Sequence, residues 1–120
     1  MNTEKPKVGW QRWLRAFKYS SAGFQAAWKN EAAFREEIVV ALFVVPLSLW
    51  LGQTPVERAL LVGSVFLVLI VELLNSAIEA VVDLTSPDFH FLAKRAKDIG
   101  SSAVLMALML AISTWFLVLW

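Results

Sequence analysis

Three carboxylates and a carboxamide interrupt the apolar stretch VELLNSAIEAVVD, residues 71–83: Glu72, Asn75, Glu79 and Asp83. At 3.6 residues per turn all four, with Ser76, fall within about 100° of arc, and the opposite face is Val, Leu, Ile and Ala. An ionisable group inside an apolar helix costs at least a few kcal/mol and is a functional candidate by default. Glu72, the deepest in the apolar run, has the chemistry of a general base. Plainer accounts exist for the others. Glu79 and Asp83 sit towards the end of the run and could simply be wet. Asn75 could be an interhelical hydrogen bond, worth about 0.6 kcal/mol on average.

Two further clusters carry charge. NEAAFREE, residues 30–37, contains Glu31, Arg35, Glu36 and Glu37. Glu31 and Arg35 have the i,i+4 spacing of an intrahelical ion pair. KRAKD, residues 94–98, contains Lys94, Arg95, Lys97 and Asp98. It could be only a signal that orients the chain in a membrane. Together the clusters offer carboxylates for Mg²⁺, which takes one or two of them plus substrate phosphates, and cations for those phosphates. No GxxxxGK[ST] loop and no HRD or DFG set occurs, so phosphate binding would rest on side chains and metal.

The elements that must position these groups read as membrane helices. Of 120 residues, 58% are hydrophobic, against about 45–50% in ordinary soluble domains. The net charge of +1 does not point to nucleic acid, and no nucleic-acid partner is expected. Cysteine is absent, which excludes disulfides and thiolate metal sites. The N-terminal residues lack an apolar core followed by a cleavage site, so a cleaved signal peptide is not expected. A single all-α integral membrane domain is expected over 1–120. Transmembrane helices are expected at about 31–51, 59–83 and 98–120, each near the roughly 20 residues a crossing needs. Ahead of them, at about 6–28, Trp10, Trp13, Leu14 and Phe17 share one helical face and Arg12, Arg15 and Lys18 another. That pattern predicts an amphipathic helix lying in the headgroup plane. Trp50 and Trp120, near span ends, read as interfacial anchors.

Lysine and arginine set the topology. Seven precede the apolar run of the first span at residues 38–51, Arg58 alone follows it, and Lys94, Arg95 and Lys97 precede the third. The positive-inside rule places the N-terminus and the second loop in the cytoplasm. The 13 apolar residues 59–71 cover about 20 Å of a hydrocarbon core about 30 Å thick. Glu72 then lies about 10 Å or less below the cytoplasmic boundary, and Glu79 about 10 Å further along, in the headgroup zone.

At these residues the chain resembles the prokaryotic diacylglycerol kinases. The resemblance rests on AAWxNEAAFRxE (26–37), VExLNSAIEAVVD (71–83) and RAKDxGSxAVL (95–105), with a short KYS match at 18–20. It implies ATP- and Mg²⁺-dependent phosphorylation of a diacylglycerol hydroxyl to phosphatidic acid. The setting it implies is the cytoplasmic face of a bacterial inner membrane, and the assembly a homotrimeric helical bundle with sites shared between neighbouring subunits. By family pattern Glu72 is the general base, and Glu31 and Glu79 hold the metal. Arg12, Tyr19, Lys97 and Asp98 match nucleotide-contacting positions, to which Glu31 and Glu79 also belong. Asp88 and His90 match that loop more loosely, since LTSPDFHFLAK departs from the family at Pro87 and Lys94. Arg12, Asn75, Ser101 and Trp115, with Glu72, match positions around the lipid. Superfamily relatives use undecaprenol instead, although AAWxNEAAFRxE looks more like the diacylglycerol branch.

The rival of another class is a non-enzymatic oligomeric channel lined by the carboxylate stripe. A channel needs polarity across the whole bilayer, whereas residues 59–71 offer only Gly63 and Ser64. For Asp83 a solvated helix end is as good an account as a functional role.

Overall fold

A computed structural model describes residues 9–86, 88 and 90–120. Pro87 and the residues ahead of Gly9, where the interfacial helix was expected to begin, lie outside the described residues. The described residues form four helices and no strand: α1 (Trp10–Asn30), α2 (Ala32–Leu51), α3 (Pro55–Thr85) and α4 (Phe91–Leu119). Their extents, 52 × 43 × 21 Å, describe a slab about two helix diameters thick.

Local chemistry sets several helix ends. TPVE opens α3 with Thr54 as N-cap, its hydroxyl accepting from the Glu57 N–H at 3.1 Å. Pro55 follows where a missing N–H costs nothing. His90 caps α4, its Nδ1 accepting from the Leu92 N–H at 3.1 Å. The turn between α2 and α3 is closed by Arg58, whose Nε donates to the Gly52 carbonyl at 3.0 Å. A Cβ on Gly52 would meet the Arg58 stem at 2.6 Å, so a side chain there would unseat this contact. Because α4 opens at Phe91, Lys94, Arg95 and Lys97 stand on its first turns and not in the loop expected from the sequence.

The helices pack mainly through α3, against α4 on one side and α2 on the other. A small core joins Ala27, Phe34, Ala41 and Leu69, flanked by Ile38, Val45, Val65 and Leu73. Leu61 and Ser48 are fully enclosed, and Ser48 is satisfied by the Val44 carbonyl at 2.8 Å. Most large apolar side chains point outward, among them Phe43, Phe66, Met106, Ile112 and Leu117. Such continuous apolar surface is not the exterior of a water-soluble monomer. By length and composition α3 and α4 can each cross a membrane. On α1, Trp10, Trp13, Leu14 and Phe17 are all exposed, so the face read as interfacial carries no intramolecular cover.

Candidate active site

The polar stripe of α3 turns inward. Glu72 is 6% exposed and Asn75 9%, Glu79 is half-buried and Asp83 exposed. The helix therefore carries a burial gradient along one face, from an enclosed carboxyl to a wet one. Asn75 Nδ2 donates to Glu79 Oε1 at 3.4 Å, a long bond that ties two positions of the stripe together. Asn75 Oδ1 is buried with no hydrogen-bond partner among the described residues. It is seated against α4 at Gly100, where a Cβ would collide with it. The bare glycine is what lets α4 approach the stripe this closely.

Glu31 enters from the corner between α1 and α2. It is the single residue between the two helices, extended at φ −118° and ψ 104°. The Glu72 carboxyl lies in the field of both Glu31 and Glu79, so the three carboxylates singled out in the sequence share one region. The i,i+4 ion pair considered for Glu31 and Arg35 is not formed. Arg35 instead donates to the carbonyls of Trp28 at 2.8 Å and Lys29 at 3.2 Å.

Glu37 was not singled out for a role, yet its carboxyl faces that of Glu72 across the α2–α3 contact. Its Oε2 is buried without a hydrogen-bond partner among the described residues. The signal was present: Phe34, Ile38 and Ala41 form the inward face of α2, and position 37 lies on it by the i+3 and i−4 relations.

Three grooves open on this region. One of ≈ 580 Å³ lies between α1 and α3, with Gly23, Ala27, Asn30, Glu31, Ser76 and Ala80 along it. A second, of ≈ 600 Å³, runs between α2, α3 and α4 from Glu36 and Glu37 along Val44, Val68 and Leu108 to Trp115. It is apolar along its length and acidic at one end. The third, ≈ 320 Å³, is polar and gathers Asp83, Asp88, His90, Lys94, Lys97 and Asp98 at the α3–α4 turn. There Lys97 Nζ meets Asp83 Oδ1 at 2.6 Å and Lys94 Nζ meets Asp98 Oδ2 at 2.6 Å. Hydrogen bonding to Asp83 raises the Lys97 pKa above its ordinary 10.5, which keeps this cation charged at any physiological pH. His90 spends Nδ1 on capping α4 and has Nε2 left to face the groove. Arg12, Tyr19 and Ser101 are exposed and line none of these three grooves.

Among the described residues no three His, Cys, Asp or Glu side chains converge into a ready metal cage. Two carboxylates flanking a third could still hold a divalent cation in company with phosphate oxygens. A family model described as prokaryotic diacylglycerol kinase matches residues 18–119.

The chain belongs to that family.

Individual relatives agree over nearly full length. The diacylglycerol kinase of Escherichia coli K12 is 52% identical over 113 residues, covering 94% of this chain and 93% of the relative. That of Pseudomonas aeruginosa is 46% identical over 115 residues, covering 96% and 94%. That of Haemophilus influenzae is 45% identical over 102 residues, covering 85% and 86%. As a prokaryotic diacylglycerol kinase by family, the chain is a kinase, and its long apolar helices suit an enzyme of the membrane.

Proposed function

We propose that this chain transfers the γ-phosphoryl group of ATP to the free hydroxyl of 1,2-diacylglycerol, yielding phosphatidic acid, at the cytoplasmic face of a bacterial inner membrane. The observation that carries the reading is the burial of Glu72 between Glu31 and Glu79 in a chain of this family. Glu72 accepts the proton of the lipid hydroxyl as that oxygen attacks the γ-phosphorus. Phosphoryl transfer asks of a protein mostly positioning and electrostatic stabilisation. Mg²⁺ fits the donor set, since hard carboxylate oxygens suit it and it takes only one or two of them beside nucleotide phosphates. Glu31 and Glu79 are those ligands, and the bound ion would neutralise charge on the phosphates. Lys97 and Asp98, with His90 and Asp88, face the nucleotide in the polar groove, and Arg12 and Tyr19 join it by the family pattern. Trp115 lines the lipid groove, and the family pattern assigns Asn75 and Ser101 to the lipid as well. The acyl chains occupy the apolar groove along Val44, Val68 and Leu108, whose acidic end brings the glycerol hydroxyl towards Glu72.

Three helices, α2 to α4, span the bilayer and α1 lies in the interface. The 20 residues of α2 reach about 30 Å, enough to cross if Arg35 stays at the headgroup level. The N-terminus is cytoplasmic, as the clustering of basic residues favours. A slab about two helices thick cannot shield a carboxylate stripe from lipid by itself, which supports an oligomer. The homotrimer with shared sites is the form the family implies.

The test is purified protein with Mg²⁺-ATP and a panel of diacylglycerol, undecaprenol, monoacylglycerol and ceramide. Phosphorylation of diacylglycerol well ahead of the others is the expected result. Product from undecaprenol alone would move the chain to the other branch, and product from none would end the kinase reading.

A further inference from the structure

The corner between α1 and α2 is unusually tight for its job. The last four carbonyls of a helix lack intrahelical donors, and many helix ends relieve this with a glycine just past the last turn. Here α1 stops at Asn30 and α2 starts at Ala32, with neither glycine nor proline at the break. Three of these four carbonyls, those of Ala27, Trp28 and Lys29, nonetheless find a donor. Asn30 Nδ2 takes Ala26 O at 2.8 Å, and the Glu31 N–H takes Ala27 O at 2.9 Å. Trp28 O and Lys29 O are both taken by one nitrogen, Nη1 of Arg35, at 2.8 and 3.2 Å. The backbone N–H of the same Arg35 donates to Glu31 O at 3.2 Å. The Arg35 side chain therefore ties the first turn of α2 back to the end of α1, across Glu31. Its positive charge also suits the negative end of the α1 dipole.

We infer that Arg35 is a positioning residue for catalysis, clasping the end of α1 so that the single corner residue Glu31 presents its carboxylate beside Glu72. The inference rests on the reading of Glu31 as a metal-holding carboxylate. Since Arg35 is engaged with backbone oxygens, it does not neutralise Glu31, whose carboxylate has no ion pair among the described residues. Lysine is a poor replacement. Its ammonium keeps the charge and can donate, but it is a strongly hydrated point charge on a flexible stem and would hold the two carbonyls less firmly.

Two readouts test this on the full chain reconstituted in bilayers. The first is the half-saturating Mg²⁺ concentration for lipid phosphorylation, with turnover at saturating Mg²⁺ measured separately. The second, independent of activity, is the electron-spin distance between labels at Gln25 on α1 and Val39 on α2, with labelled subunits diluted among unlabelled ones. Arg35→Ala and Arg35→Gln should broaden or shift the distance distribution. Both should raise the Mg²⁺ requirement about tenfold, as for loss of one charge-assisted hydrogen bond, with turnover largely regained at saturation. Arg35→Lys should fall between them and the wild type. If Arg35→Ala does not assemble, Arg35→Gln is read alone. A wild-type distance distribution in the neutral variants would overturn the clasp. Glu31→Gln keeps the two failures apart, because it should raise the Mg²⁺ requirement with the distance unchanged. If it does so while Arg35→Gln leaves the requirement unmoved, the positioning role is overturned. If Glu31→Gln itself leaves the requirement unmoved, the metal assignment fails and the clasp stands or falls on the distances.

Discussion

At the scale of single residues, the base proposed at position 72 makes the sharpest prediction. Glu72→Gln keeps shape and hydrogen-bonding capacity but removes the base, so turnover should fall about 10²–10⁴-fold. The protein should still elute as the wild type does on size exclusion, and near wild-type turnover would reassign the base. Glu79→Gln should act differently, raising the Mg²⁺ needed for half-maximal rate about tenfold or more for the loss of a charged partner. A metal titration at fixed ATP reads it. Both residues were legible in the sequence because a 3.6-residue period puts them on one face of an otherwise apolar helix. Glu37 was harder to see, since it stands beside Glu36 and Arg35 in a run that reads as a wet helix start. Only the packing of Phe34 and Ala41 turns its carboxyl towards Glu72. The partners of Arg35 were hidden for a related reason. Sequence spacing reports neighbours on one helix, whereas its partners lie back across a corner on the previous one.

Between elements, the α3–α4 contact is where the site is most sensitive to bulk. Gly100→Ala would put a methyl group into Asn75 Oδ1, forcing the helices apart or the carboxamide away from Glu79. Overpacking of this kind costs about 1–3 kcal/mol. The expected outcome is a lower thermal midpoint with a raised Mg²⁺ requirement, because Asn75 holds Glu79 Oε1. A lower midpoint with unaltered metal dependence would separate the packing from the chemistry. Away from the site, Thr54→Ala removes the cap of α3 and should cost about 1 kcal/mol with catalysis intact. The span expected from about 59 missed the TPVE start of α3 at Pro55, because apolarity marks the buried run and not the polar cap ahead of it. The Gly100–Asn75 contact was not legible either, as nothing in a sequence of small residues says which one faces a polar side chain 25 positions away. Nor does any glycine or proline mark the corner at Glu31.

For the whole molecule, the apolar exterior and the distribution of charge say more than any cavity. Residues 59–71 leave α3 without a polar path through its first half, which argues against a channel. The carboxylates instead cluster towards the end of α3 that meets the basic turns of α4. That the chain is helical and apolar enough for a membrane was legible in its composition, because the bilayer acts on every residue. Assembly is set by surfaces that a single chain leaves uncovered, and no local pattern specifies how many copies cover them. Orientation, by contrast, follows from charge and can be measured directly, since the chain has no cysteine to remove. A cysteine in place of Gln53, in the α2–α3 turn, should react with a membrane-impermeant maleimide added outside intact cells. One in place of Ser86, at the end of α3, should react only after the membrane is opened. The two sites lie at opposite ends of a helix of 31 residues, about 46 Å long, so they cannot share a side if α3 spans. Labelling of both from outside would contradict a spanning α3, and a reversed pattern would place the carboxylate cluster and its basic turns away from the ATP of the cytoplasm.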